Sequence, residues 1–451
     1  MSEEEVSEVV GELVARAAAI DIAKASALVC TRVPDESRPG RRVQRTWTVG
    51  ADTAAILELG DHLRCLGIER VVMEATGAYW KPYLYLLESC GLQCWLVNAR
   101  DVKNVPGRPK TDKLDAVWLC KLTERGMLRA SFVPPREIRE LRDLTRTRAV
   151  FIRERTRHKQ RAEKMLEDAQ IKLSSVVTDL FGKSGRLMMD ALISGERSPA
   201  VLAELACGRL RGKKEALALA LRGGFTEHHA FMLGQLLQMV DTLDARINDI
   251  TARIEDHLSR IEPPTGHRPG GGAAQTPHGD TRPGLLALVD RIDAIPGVGT
   301  RIAQVILAEI GTDMSLFPTA DHLASWAKLS PRTIQSGPMS TSGGTGKGNP
   351  WLRGALGEAA ASAARTDTFL GARYRRLVKR RGHNRALVAV ARSILVIVWH
   401  LIHDPDTDYQ DLGAQWHHRL GDPARKTRDL VRQLEHLGHQ VTLGPTPEPA
   451  T

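Results

Sequence analysis

At Pro134 the pattern of this 451-residue chain changes, and that change constrains its fold more than any other feature. Before it, short β-rich runs alternate with helical stretches. Ala18–Cys30, Val43–Val49, Val71–Glu74 and Leu92–Val97 read as strands, and Thr53–Leu66, Tyr79–Ser89 and Thr111–Arg125 as helices. Strands first and strand–helix alternation afterwards predict a mixed sheet with helices on its faces. After Pro134 the period is helical. The expected fold class is therefore α/β plus all-α, and a chain of this length should divide into two to four units.

The expected organisation is an extension over 1–15, an α/β domain over 16–130, a helical coiled-coil region over 131–264, a linker over 265–284, a mainly helical domain over 285–403 and a tail over 404–451. The linker, TGHRPGGGAAQTPHGDTRPG, is identified by composition. In the middle region Leu236, Val240, Leu243, Ile247, Ile250, Ile254 and Ile261 follow alternating 4/3 spacing, with His257 at the off-type position. That spacing predicts a coiled coil or a long antiparallel helical hairpin, and a monomeric bundle uses it too.

The formal charge is +10 and the pI about 9.4, which favours a polyanionic partner, nucleic acid before anionic membrane. Between Arg136 and Lys164 eleven Arg/Lys face five Asp/Glu. A solvated helix face explains such a run, but arginine predominates, and its guanidinium forks onto phosphate. Arg146, Arg153 and Arg157 are candidate contacts there. Arg373–Arg385 packs seven Arg/Lys and His383 into thirteen residues without an acid, and Arg376 and Arg380 are candidates on the same ground. The six cysteines form no C-x-x-C pair, the start MSEEEVSEVV is acidic, and the apolar run Ala386–Ile402 contains Arg392 and is short for a bilayer. A cytoplasmic protein without a membrane partner is expected.

Four acids stand out. Asp21 sits between Ile20 and Ile22 in a strand, where an unpaired carboxylate is costly to bury. Glu74 closes a buried strand, and Asp112 and Asp115 lie three apart at a helix start and so share a face. Each has a plain reading: Asp112 and Asp115 as acids favoured near a helix N-terminus, Glu74 as a strand-end surface residue. Together, hard oxygen ligands from separated segments suit Mg²⁺ or Mn²⁺, and a pair of such ions polarises a phosphodiester.

Downstream, Ile292–Gly311 places Gly297 and Gly299 between two apolar-periodic helices, a helix–hairpin–helix pattern whose turn offers backbone N–H groups to phosphate. A plain helical turn also uses such glycines. The glycine- and serine-rich stretch Ser330–Gly354 follows. It is not a Walker loop, since Thr341 stands where the first glycine belongs and Gly348 follows Lys347. Composition reads as a linker; the polar residues of SPRTIQSG and TGKGNPWLRGAL and the Asn-Pro helix start argue for a built element. A third reading makes Ser336 a nucleophile on a mobile arm, activated by the distant acids.

IDIAK (Ile20–Lys24), MEATGAYW (Met73–Trp80) and KTDKLDA (Lys110–Ala116) resemble the three blocks of the DEDD transposases of the insertion-sequence 110 family. The resemblance implies an RNase H-type, RuvC-like domain in which Asp21, Glu74, Asp112 and Asp115 bind catalytic Mg²⁺ or Mn²⁺. It also implies a serine before glycine in the second domain that attacks DNA to form a phosphoserine link, here Ser336, followed by a Lys-Gly-Asn block ending in Leu-Arg, here KGNPWLR. Candidate nucleic-acid contacts on these blocks are Lys24, Lys110, Arg332, Lys347, Asn349 and Arg353. Unlike many members, the segment Pro338–Gly346 carries no basic residue. The family further implies element-end and target DNA, a structured guide RNA and a dimer or tetramer. Two competing functions remain open: a junction-resolving nuclease in which the acids alone act through water, and a non-catalytic nucleic-acid scaffold.

Overall fold

The structure is a computed structural model that describes residues 14–38, 40–75, 77–98, 112–261, 284–331, 333–337, 339–416 and 423–444. The chain divides into two compact units between Val133 and Pro134.

In the first unit β1 (Ala17–Ile22), β2 (Ser26–Pro34) and β3 (Arg42–Gly50) form an antiparallel meander. Helix α1 (Thr53–Cys65) leads to β4 (Arg70–Glu74), parallel to β1, and α2 (Trp80–Ser89) leads to β5 (Cys94–Val97), parallel to β4. The sheet order is β3-β2-β1-β4-β5. The stretch Ala18–Cys30, expected as one strand, is a hairpin whose turn is closed by Ala23 N donating to Ser26 O at 2.9 Å. That turn has no Gly, Pro or Asn to mark it.

Strand alternation sorts the side chains between two layers. Ala18, Ile20, Ile22, Val71 and Met73 join the core under α1 and α2, whereas Ala17, Ala19, Val72 and Val97 join a second core with α3 (Asp112–Glu124). All six cysteines are free; Cys30 and Cys120 are buried, while Cys65 is exposed.

The second unit is built on two long helices, α4 (Arg136–Asp168) and α8 (Glu227–Arg260). They run antiparallel: His229 Nε2 lies 3.2 Å from Asp168 Oδ2, Arg155 pairs with Asp244, and His257 Nε2 lies 2.8 Å from Glu137 O. The buried seam of α8 is Leu233, Leu237, Val240, Leu243, Ile247, Ile254 and Leu258, so the 4/3 pattern locates its centre. Leu236 and Ile250 are half-buried beside the seam, and Ile261 caps the helix.

One end of the pair packs with α5 (Lys183–Ile193), α6 (Pro199–Glu204) and α7 (Lys214–Ala220) around Leu166, Met188 and Leu202. The other end contributes Ile138, Leu141, Ile254 and Leu258 to a larger core. That core is completed by α9 (Leu285–Asp293), α10 (Thr300–Ile310), α11 (Ala320–Trp326), α12 (Pro350–Ala363), α13 (Phe369–Arg381) and α14 (His383–His403). A further helix, α15, spans Pro423–His436. At 21 residues α14 is long and apolar enough to cross a bilayer, more than its apolar run alone indicates. It buries Val390, Ile394, Leu395 and Val398 in this core, as the central helix of a bundle does. The expected linker lies outside the described residues apart from Gly284, as does most of the N-terminal extension.

Candidate active site and nucleic-acid interface

β1 and β4 pair in parallel with Ile20 opposite Met73, so Asp21 and Glu74 are the next residues on adjacent strands. Ile20 and Met73 point into the α1/α2 layer, and alternation therefore puts both acids on the α3 face, at the carboxyl ends of their strands. Cys120 Sγ lies 3.4 Å from Ala17 O and Val14 N donates to Glu124 O, so α3 runs opposite to β1. From Cys120 back to Asp112 the helix rises about 12 Å, and from Ala17 to Asp21 the strand rises about 13 Å. The start of α3, with Asp112 and Asp115, is thereby level with Asp21 and Glu74.

Asp21, Glu74 and Asp115 are half-buried, while the side chain of Asp112 and all of Lys110 lie outside the described residues. Lys24 is exposed in the β1–β2 turn. Among the described residues no three His, Cys, Asp or Glu side chains are gathered closely enough to hold a metal. The donor set is nonetheless of the hard-oxygen type with accessible positions, which fits Mg²⁺ or Mn²⁺.

The glycine–serine stretch is a β-hairpin: β6 (Thr333–Ser336) pairs with β7 (Met339–Ser342), with Ser336 opposite Met339. Gly337 occupies the turn at φ +58°, a conformation that suits glycine. The pairing replaces the linker reading at these positions. The Ser336 side chain and Arg332 lie outside the described residues. Lys347 and Arg353 are exposed, and Arg353 Nη1 donates to Gly346 O at 3.4 Å.

The arginines of α4 divide by partner. Arg146 grips Glu309 of α10 with Nε and Nη2, each at 2.8 Å. Arg142 donates to Ala308 O and Glu309 O at 3.0 and 2.9 Å. Arg148 is 3% exposed, and burial, with Arg301 adding to it, pushes its guanidinium down to about 10. Arg153 and Arg157 are exposed, and Arg153 stacks 4.6 Å from the Trp351 ring. Of the three arginines expected on phosphate, Arg146 therefore makes a fork to a carboxylate within the fold.

Asn349 likewise serves the fold: its Oδ1 accepts from Trp351 N and Leu352 N as the cap of α12, and its Nδ2 donates to Glu309 Oε2 at 2.6 Å. Glu309, fully buried, is the residue that sequence reasoning missed. An acid in the apolar run VILAEIG was the available signal, by the same logic that singled out Asp21.

Helices α9 and α10 form the expected helical hairpin. Gly297 has φ +87°, and a Cβ there would lie 2.5 Å from both Ala359 O and Ala363 N of α12. Its glycine is thus required by packing, and the exposed Gly299, which caps α10 without a side-chain bond, is the part of the turn open to a phosphate. Gly297→Ala is expected to destabilise this unit by about 2 kcal/mol through overpacking and left-handed strain. Gly299→Ala should cost well under half of that, as urea unfolding of the two variants will show. In α13, Arg376 and Arg380 are exposed, whereas Arg373 is half-buried, its charge disfavoured first by burial and then by Arg376 and Arg392.

Two family models match these regions. Residues 18–171 match the model for DEDD transposases of the IS110 type, described as a transposase, and residues 289–375 match one described as a transposase of the IS116/IS110/IS902 family. Over 115 residues the chain is 33% identical to the insertion element IS110 uncharacterized 43.6 kDa protein of Streptomyces coelicolor. That likeness covers 25% of this chain and 28% of the relative's length. The chain belongs to the IS110 family of transposases.

Proposed function

We propose that this chain cuts and rejoins the DNA of a mobile element through a covalent serine intermediate, with acids of the first unit and Ser336 of the second acting in one reaction. The observation that carries it is the placing of Asp21 and Glu74 at neighbouring positions on adjacent parallel strands, with the start of α3 level with them. The strand order β3-β2-β1-β4-β5, with two acid-bearing strand ends side by side, supports an RNase H-type, RuvC-like reading of this sheet.

Asp21, Glu74, Asp112 and Asp115 would hold Mg²⁺ or Mn²⁺, which when bound supplies charge neutralisation at a phosphodiester and at the departing oxygen. Ser336 Oγ loses its proton and bonds to phosphorus while one ester P–O bond breaks, freeing a strand hydroxyl. Attack by a second strand's hydroxyl on the phosphoserine then restores Ser336 and joins the DNA. Lys24, Lys110, Arg153, Arg157, Arg332, Lys347, Arg353, Arg376, Arg380 and the Gly299 turn would bind backbone phosphates. A structured guide RNA, a dimer or tetramer and a cytoplasmic location complete the proposal, and the basic surface of α4 and α13 is the feature of this chain that favours the RNA.

The test is to incubate the protein with element-end DNA, co-purified RNA and Mg²⁺, and to look for a covalent adduct on denaturing gels. The adduct should appear with Mg²⁺ and vanish in Asp21→Asn; an adduct that forms equally without either the cation or the acid contradicts the proposal. Asp21→Asn should also abolish the rise in melting temperature on adding Mg²⁺, because binding to the native state alone stabilises it. A variant that keeps the full rise would place the cation elsewhere.

A further inference from the structure

We infer that Glu309 is a positioning residue, which through Asn349 roots the Ser336 hairpin on the basic helix α4. The inference rests on the reading of Ser336 as the nucleophile. Its basis is the way the two legs of the hairpin are held. The outgoing leg leaves the end of α11 at Lys328, which has φ +57° and closes the helix in a left-handed turn, with Leu329 N donating to Ala324 O at 3.0 Å. The returning leg lies against the same point. A Cβ on Gly348 would stand 2.3 Å from Ala327 O, and one on Gly346 would stand 3.3 Å from Lys328 Cδ. The KGN block therefore needs Gly348 so that the two legs can touch at their base.

The next residue fixes that base in space. Asn349 Oδ1 caps α12 while Nδ2 reaches Glu309 Oε2 at 2.6 Å. Glu309, in turn, is held by the Arg146 fork, with Arg142 Nε 3.5 Å from Oε2. On the other side of the cap, Trp351 lies under Arg153. One carboxylate thus joins α10, α4 and the foot of the hairpin.

Stability alone does not call for this arrangement. Serine caps a helix as well as asparagine does, and apolar residues replace buried ion pairs at little cost or with gain. What the charged network adds is direction, because the fork and the amide accept one seating of the hairpin foot.

Asn349→Ser separates the two roles, since it keeps a capping oxygen and is too short to reach Glu309. In the full chain it should lower the melting temperature by only a few degrees, because Arg146 still forks onto Glu309, while the amides of β6 and β7 exchange with solvent at least about tenfold faster. Mg²⁺-dependent adduct formation at saturating DNA should fall about tenfold, as expected of a misplaced nucleophile, with apparent DNA affinity within about twofold. Glu309→Gln should move both readouts in the same direction, and the double variant should be no worse than the stronger single one, because the two residues act as one unit. Unchanged hairpin exchange in Asn349→Ser overturns the inference, and so does an adduct loss that merely tracks the folded fraction. If the parent protein forms no adduct, the nucleophile reading fails, and the exchange measurement decides the rooting by itself.

Discussion

Replacing Glu309 with alanine is expected to lower the unfolding free energy of the Pro134–Thr451 unit by about 3 kcal/mol. The side chain is fully buried, and its oxygens take two hydrogen bonds from Arg146 and one from Asn349. Truncation leaves Arg142 and Arg146 beside a cavity without their counter-charge. The Arg142 and Arg146 side chains are 15% and 34% exposed, so water reaches them in part, which keeps the cost at the lower end for a broken buried pair. Glu309→Gln, which preserves volume and one acceptor, should cost roughly half as much. Urea unfolding of the two variants checks the order. Equal and small losses would mean that the network contributes packing and no charge balance.

Ser336→Ala is expected to reduce strand joining by at least about a thousandfold, the scale seen when a nucleophile is removed from a site whose other members remain. The serine ends β6 opposite Met339, so alanine fits the same strand and the hairpin should persist. DNA affinity should be unaffected, and the loss should appear in the chemical step. If Ser336→Ala joins strands as well as the parent while Asp112→Ala does not, water attack directed by the acids is the mechanism. If Asp21→Ala, Glu74→Ala and Asp115→Ala all leave every activity intact, the chain is a scaffold.

Much of the first unit was legible because its strands are short β-rich runs between helical stretches, the central β1 and β4 being apolar and buried on both faces. The β1–β2 turn was not, since Ala23 to Ser26 contains no Gly, Pro or Asn to mark it. In α8 the heptad spacing located Val240, Leu243, Ile247 and Ile254, while the ends drifted to Leu237 and Leu258. A straight helix of 3.6 residues per turn slips against a 3.5-residue pattern, so register fades away from the centre. Asp21 and Glu74 could be marked as unusual from their neighbours, but that they are adjacent depends on strand pairing.

The Glu309 network was hidden for a different reason. Its fork joins residues 163 positions apart, and no local period records such a contact. In sequence Arg146 and Asn349 resemble phosphate ligands, because polar groups on a basic helix and in a Lys-Gly-Asn block look the same whether their partner is outside or inside the fold. Gly297 shows the same ambiguity. A glycine demanded by a phosphate and one demanded by Ala359 O have one letter in common.

The most direct test of the account is to digest the Mg²⁺-dependent protein–DNA adduct with protease and nuclease and to locate the modified residue by mass spectrometry. A nucleotide-bearing peptide modified at Ser336 is the expected result. An adduct mapped to any other residue, or strand joining that proceeds with no adduct at all, would contradict it.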